Sequence, residues 1–148
     1  MDSDAAALAL EDLAIGQRYE FETAVADRDI DRFAALSGDV SPLHIDADFA
    51  RRRGFDDRLV HGAHLVALAS RLVGMSLPGR NALLLKLEMS FAAPVAPGTR
   101  VRVTGTVEQL SEAVRSAVVG IRITDAGTLA PLARGKATVG FTEERRDA

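Results

Sequence analysis

An α+β fold, with a curved antiparallel sheet of five strands wrapped around one long central helix, is predicted from three observations. The segment from Gly62 to Met75 carries Leu65, Leu68, Ala69, Leu72 and Val73 at the i, i+3, i+4, i+7, i+8 spacing of one helix face, and Ala63, Val66 and Ala67 widen the apolar surface. The second half alternates apolar and polar residues in run after run, the period of strands with one buried face. A chain of 148 residues, 47% of them hydrophobic, is also long enough to build one core without staples.

Taken in order, Tyr19 to Val25 is expected as a short strand, because Tyr19, Phe21 and Val25 alternate with Glu20 and Glu22. Asp27 is expected to cap a helix carrying Ile30, Phe33, Ala34 and Leu36 on one face, stopped by Ser37 and Gly38. The stretch to Leu43 reads as a loop around Pro42, and Asp46 then caps a second short helix through Phe49 and Ala50 to Gly54. After another loop to His61, the helix from Gly62 keeps only one polar edge, marked by His64 and Arg71, so other structure must enclose it. The strands that follow are read from Leu83, Leu85, Leu87, Met89 and Phe91; Val101, Val103 and Val107; Ala117, Val119, Ile121 and Ile123; and Ala133, Ala137, Val139 and Phe141. Pro94 to Gly98, Ser111-Glu112 and Asp125 to Gly127 punctuate them. A sheet curling around one long helix is the hotdog arrangement.

Composition narrows the function. With no cysteine, thiol nucleophiles, Cys-ligated zinc and disulfides are excluded. A net charge of −3, no basic block and only six Phe and one Tyr give nucleic acid little to hold. The first residues are acidic where a signal peptide is basic, and the apolar stretch from Leu65 to Leu77 is broken by Ser70, Arg71 and Ser76, so neither secretion nor a membrane span is expected. The expectation is one cytoplasmic domain over 1–148, with its core at about 15–141 and a frayed, charged tail at 142–148.

The loop Ser37-Gly-Asp-Val-Ser-Pro-Leu-His44 carries the chemistry. It sets the carboxylate of Asp39 and the imidazole of His44 five positions apart across a proline, where a rigid turn can aim both at one water. The same residues are ordinary turn formers, so spacing alone leaves catalysis and plain loop structure both open.

Ser37-Gly38-Asp39-Val40-Ser41-Pro42-Leu43-His44-Ile45-Asp46, then Phe49-Ala50, His61-Gly62, Leu77-Pro78-Gly79 and Phe91-Ala-Ala-Pro94-Val95, occur in that order. This series closely resembles the MaoC-like family of hotdog dehydratases, the (R)-specific enoyl-CoA hydratases, over roughly residues 15 to 110. The resemblance implies that Asp39 and His44 are a catalytic dyad. Such a dyad holds the water that adds across the double bond of a trans-2-enoyl thioester, or that leaves a 3-hydroxyacyl thioester. Gly62 then matches the glycine whose N–H faces the thioester carbonyl oxygen, a donor backed by the dipole of the long helix. Ser70 aligns with a serine that supports the dyad in some members, although a small residue permitting close helix packing reads equally well there. His61, of the His-Gly pair, is expected to shape the loop, and His64 to be an edge residue.

Three departures stand out. Ser41 replaces the usual Asn, Ala63 a usual Met, and Leu87 a Gln of some members. The dyad itself is intact. Arg51-Arg52-Arg53 reads first as a solvated face and second as a contact for coenzyme A phosphates or an acidic acyl carrier protein, while Asp56 and Asp57 read as loop-tip acids. The resemblance further implies a homodimer with a site near its interface, an acyl-CoA or acyl-carrier-protein thioester as substrate, and no metal or organic cofactor. Two alternatives are a hotdog thioesterase and a non-catalytic acyl-binding subunit of a heteromeric dehydratase. The Asp39–His44 loop argues against both.

Overall fold

A computed structural model describes residues 3–144 of the chain. Strands β1 (Arg18–Ala24), β2 (Ala82–Phe91), β3 (Arg100–Ser111), β4 (Ser116–Asp125) and β5 (Pro131–Phe141) form one sheet in the order β1-β3-β4-β5-β2, every neighbouring pair antiparallel. Between β1 and β2 lie helices α1 (Asp27–Ser37), α2 (Pro42–Ile45), α3 (Ala47–Arg52) and α4 (Gly62–Met75). The hotdog layout expected from the sequence is present.

The core sits between α4 and the inner face of the sheet. Leu65, Leu68, Ala69, Leu72 and Val73 of α4 are buried against Val101, Val103, Val107, Val119, Ile121, Ile123, Ala137 and Val139. Burying each of the larger side chains is worth roughly 1.5–3 kcal/mol, so the packing, more than helix propensity, fixes α4. Gly105 lets the layers close: a Cβ there would stand 2.3 Å from Leu72 Cδ2. No helix among the described residues is long and apolar enough to cross a membrane.

Several expectations need correction. Ala26, not Asp27, is the N-cap of α1; the Asp29 carboxylate reaches back to accept the Ala26 N–H at 2.9 Å. Leu36 lies off the buried face of that helix and is 85% exposed. The segment around Pro42 is not plain loop but the one-turn helix α2, with Pro42 at its first position, where a missing N–H costs nothing. In β2 the alternation fails at a register shift between Leu84 and Lys86, leaving Leu83 52% and Leu85 58% exposed on a strand at the sheet edge. The core also begins earlier than residue 15. Ala5, Leu10 and Leu13 are buried, and Ala6 N–H and Leu8 N–H donate to the carbonyls of Met75 and Pro78. At the other end Thr142 N–H donates to Asn81 C=O, and residues 145–148 of the expected frayed tail lie outside the described residues.

Candidate active site

The loop after α1 is built from short-range hydrogen bonds. Gly38, at φ +75°, ends α1 with its N–H on Ala34 C=O, a left-handed conformation that glycine adopts without strain. Ser37 Oγ donates to Phe33 C=O and accepts the Asp39 N–H at 3.1 Å, and Asp39 Oδ1 accepts the Ser41 N–H at 3.1 Å. Ser41 itself is exposed and acts here through its main chain. Asp46 caps α3 as expected, accepting the Phe49 N–H.

This loop brings Asp39 and His44 together, with His44 Nε2 4.0 Å from Asp39 Oδ2. His44 Nδ1 lies 2.8 Å from the Leu59 carbonyl oxygen. A carbonyl only accepts, so Nδ1 carries the proton, and in the neutral ring Nε2 presents its lone pair beside the carboxylate. His61 holds the other member of the pair: its Nε2–H donates to the Asp39 main-chain carbonyl at 2.9 Å. The His61 ring also stacks on His44, centroids 3.8 Å apart and planes 21° off parallel. Phe33 packs against His61 at 4.9 Å and stacks on His64 at 5.4 Å, so the three histidines of the chain form one column of rings with Phe33. His64 is therefore more than an edge residue. Burial holds its pKa below the ordinary imidazole value, outweighing the opposing pull of Asp29.

Residues 59–62 tie the site to the rest of the fold. Leu59 C=O holds His44, Leu59 N–H donates to Leu43 C=O, Val60 N–H donates to Val95 C=O, and His61 holds Asp39. Gly62 then starts α4. Its N–H, one of the helix's free amino-terminal donors, has no partner among the described residues. Gly62 lines a cavity of 330 Å³ together with Leu65, Phe91 and the 92–95 loop. Ser70 is exposed two turns along α4 and makes no side-chain hydrogen bond among the described residues.

Asp39, His44 and His61 have potential metal-ligand atoms within 4.8 Å of one another. Their arrangement does not suit one ion. The two imidazoles lie nearly parallel, so their in-plane lone pairs do not converge, and a nitrogen of each is already engaged by a carbonyl. The sequence reading missed three contributors. Arg58 donates to Asp27 Oδ1, Asp31 Oδ1 and the Asp27 carbonyl, fastening α1 to the segment beside the dyad, and its hydrogen bond lowers the Asp31 pKa. Leu59 acts through a carbonyl, which leaves no trace in residue type. Phe33 was assigned to a helix face, but its role against His61 depends on tertiary packing.

A family profile described as "MaoC like domain" matches residues 11–126. The chain belongs to the MaoC-like family. Its MaoC-like sequence is 36% identical over 124 residues to an "(R)-specific enoyl-CoA hydratase" of Aeromonas caviae, covering 83% of this chain and 92% of that protein. A protein of the same description from Rhodospirillum rubrum is 33% identical, covering 87% and 88%. The solved structure of the (R)-hydratase from A. caviae matches this MaoC-like fold with a TM-score of 0.83 at 35% identity, over 88% of this chain and 98% of that one.

Proposed function

We propose that this chain is a lyase that reversibly adds water across the double bond of trans-2-enoyl thioesters to give (R)-3-hydroxyacyl thioesters. The observation that carries the reading is the 4.0 Å gap between His44 Nε2 and Asp39 Oδ2, with the His44 tautomer fixed by Leu59. Two acceptors sharing one water oxygen through ordinary hydrogen bonds stand roughly 4 to 4.6 Å apart, so the gap fits a single water held by both. As that oxygen bonds to C3, one of its protons passes to the pair and the thioester carbonyl gains negative charge. Gly62 N–H is the donor for that oxygen, and a donor of this kind is worth about 3 kcal/mol. The pair then returns a proton to C2 on the same face, which completes a syn addition in which every atom of the water is retained. The (R) outcome and CoA as carrier are supported by the names of the relatives, and an acyl-carrier-protein thioester is the second carrier to test.

We place the active form as a homodimer. Leu83, Leu84 and Leu85 are exposed along an edge strand with one unpaired flank, and Ala63, Ala67, Ser70 and Gly74 form an uncovered face of α4, a surface that a second copy would bury. The absence of cysteine agrees with a cytoplasmic setting. The test follows loss of enoyl-thioester absorbance with crotonyl-CoA and longer trans-2-enoyl-CoAs, with chiral analysis of the product. (R)-3-Hydroxyacyl-CoA formed by the wild type and not by Asp39→Asn supports the proposal. Release of free thiol from saturated acyl-CoA would replace it with thioester hydrolysis.

A further inference from the structure

The convex face of the sheet, opposite α4, carries a second concavity of 690 Å³, larger than the cavity at Gly62. It is lined by Arg122 of β4 and Arg134 of β5, which are direct cross-strand partners. Ile121 and Ile123 point into the core, so Arg122 points outward, and both arginines are exposed. Like charges placed opposite each other across an antiparallel pair destabilise it.

The neighbouring cations have partners. Arg18 pairs with Glu20, Arg100 and Arg102 with Glu22, Lys86 with Glu88, and Lys136 with Glu108. Arg122 and Arg134 alone on this face have no carboxylate within 4.0 Å and donate no side-chain hydrogen bond among the described residues. Two carboxylates line the groove, Glu88 and Glu108, the latter lying over Gly120; each is held by a lysine, which leaves the two guanidiniums without a carboxylate partner. Adjacent guanidiniums offer forked donors that match phosphate oxygens.

We propose that Arg122 and Arg134 form a binding site for a phosphate or diphosphate group. Such a group has two sources, the nucleotide end of the thioester carrier or a separate phosphorylated compound. The first is within the architecture, because Ser90 faces Arg134 across β2 and β5 while the next residue, Phe91, lines the Gly62 cavity on the other side of the strand. That arm rests on the hydratase reading; the site itself does not.

The test titrates inorganic pyrophosphate into the full chain at low ionic strength by calorimetry. Saturable binding is expected, weakened at least about tenfold in Arg122→Gln and in Arg134→Gln, and unchanged in Arg102→Gln, whose side chain belongs to Glu22. Added salt should weaken it further. Thermal melts of Arg122→Gln and Arg134→Gln should match or slightly exceed the wild type, because each removes a like-charge cross-strand pair. A KM raised for crotonyl-CoA but not for crotonyl-pantetheine, with kcat unchanged, assigns the site to the nucleotide end of the carrier. Pyrophosphate binding without any KM change assigns it to a separate ligand. No saturable binding, or binding equal in the wild type and both groove variants, overturns the proposal, whether or not the protein hydrates enoyl thioesters.

Discussion

Replacing Gly62 by alanine adds one methyl group at the first position of α4 and should move stability and catalysis in opposite directions. The new Cβ would stand 3.3 Å from Phe91 Cζ, 3.4 Å from Cε1 and 3.6 Å from Cε2. These contacts are slightly short, but the ring is 51% exposed and can turn outward by a few tenths of an ångström. Alanine is favoured over glycine in helices by up to about 1 kcal/mol, so the melting temperature should hold or rise by a few degrees. The same methyl and the displaced ring occupy the cavity that Gly62 lines, which on the proposed reading receives the thioester carbonyl. Complete loss of that donor would cost about 3 kcal/mol, roughly 150-fold in rate, and partial displacement should lower kcat/KM at least about tenfold. Initial rates on crotonyl-CoA and a circular-dichroism melt measure the two effects. An unchanged kcat/KM beside an unchanged melt would remove Gly62 from the site, and a sharply lower melting temperature would show that Phe91 cannot yield.

Asp39→Asn and His44→Ala should each lower the hydration rate by at least roughly 10²-fold; the exposed Asp39 variant should melt close to the wild type, while His44→Ala also gives up the Leu59 hydrogen bond and the stack on His61 and should melt lower; near-normal turnover in either variant removes the dyad from the mechanism. Arg58→Met should lower the melting temperature. Because Arg58 depresses the Asp31 pKa, its stabilisation is present at neutral pH and lost as pH falls through the carboxylate range, so the variant should show a shallower acid-side loss in melts taken from pH 7 to 3. His64 has the pKa of an imidazole that burial keeps neutral, so the unfolded chain binds the proton first and wild-type stability should fall as pH drops through about 6.5. His64→Gln should reduce that loss, and identical urea midpoints differences between pH 7.5 and 5 in the two proteins would refute the assignment.

What the sequence revealed and what it hid follow from where each signal resides. The helix over Gly62–Met75 was legible because its apolar residues repeat with the helical period, and the inner faces of β3, β4 and β5 because theirs repeat with the strand period. Asp39 and His44 stood out as a pair through the ordered series of motifs that carries the family resemblance, because the residue types of their loop are also those of ordinary turns. Leu83 and Leu85 misled because alternation reports an apolar face and not what covers it, and a register shift has no residue signature in this strand. The His61 contact spans 22 residues, and its acceptor is a main-chain carbonyl, so only the folded chain could pair them. Ala26 caps α1 without a capping side chain because Asp29 supplies the carboxylate from inside the helix.

The spacing of the dyad is a property of its anchors. An imidazole free to carry its proton on Nε2 would close to a direct hydrogen bond with a carboxylate this near, whereas the tautomer set by Leu59 leaves two acceptors facing each other. Here His44 is drawn back by Leu59 through Nδ1, and Asp39 is drawn toward the Ser41 N–H through Oδ1, while His61 fixes the Asp39 main chain. The free atoms, His44 Nε2 and Asp39 Oδ2, are the ones left facing each other at 4.0 Å. Because Leu59 and His61 belong to one short segment that continues into Gly62, the loop holding Asp39 and His44 and the helix whose first N–H the proposal assigns to the carbonyl share one support. Shortening or lengthening residues 59–61 should therefore abolish turnover even with every reactive group retained, since it changes the gap and the donor position together.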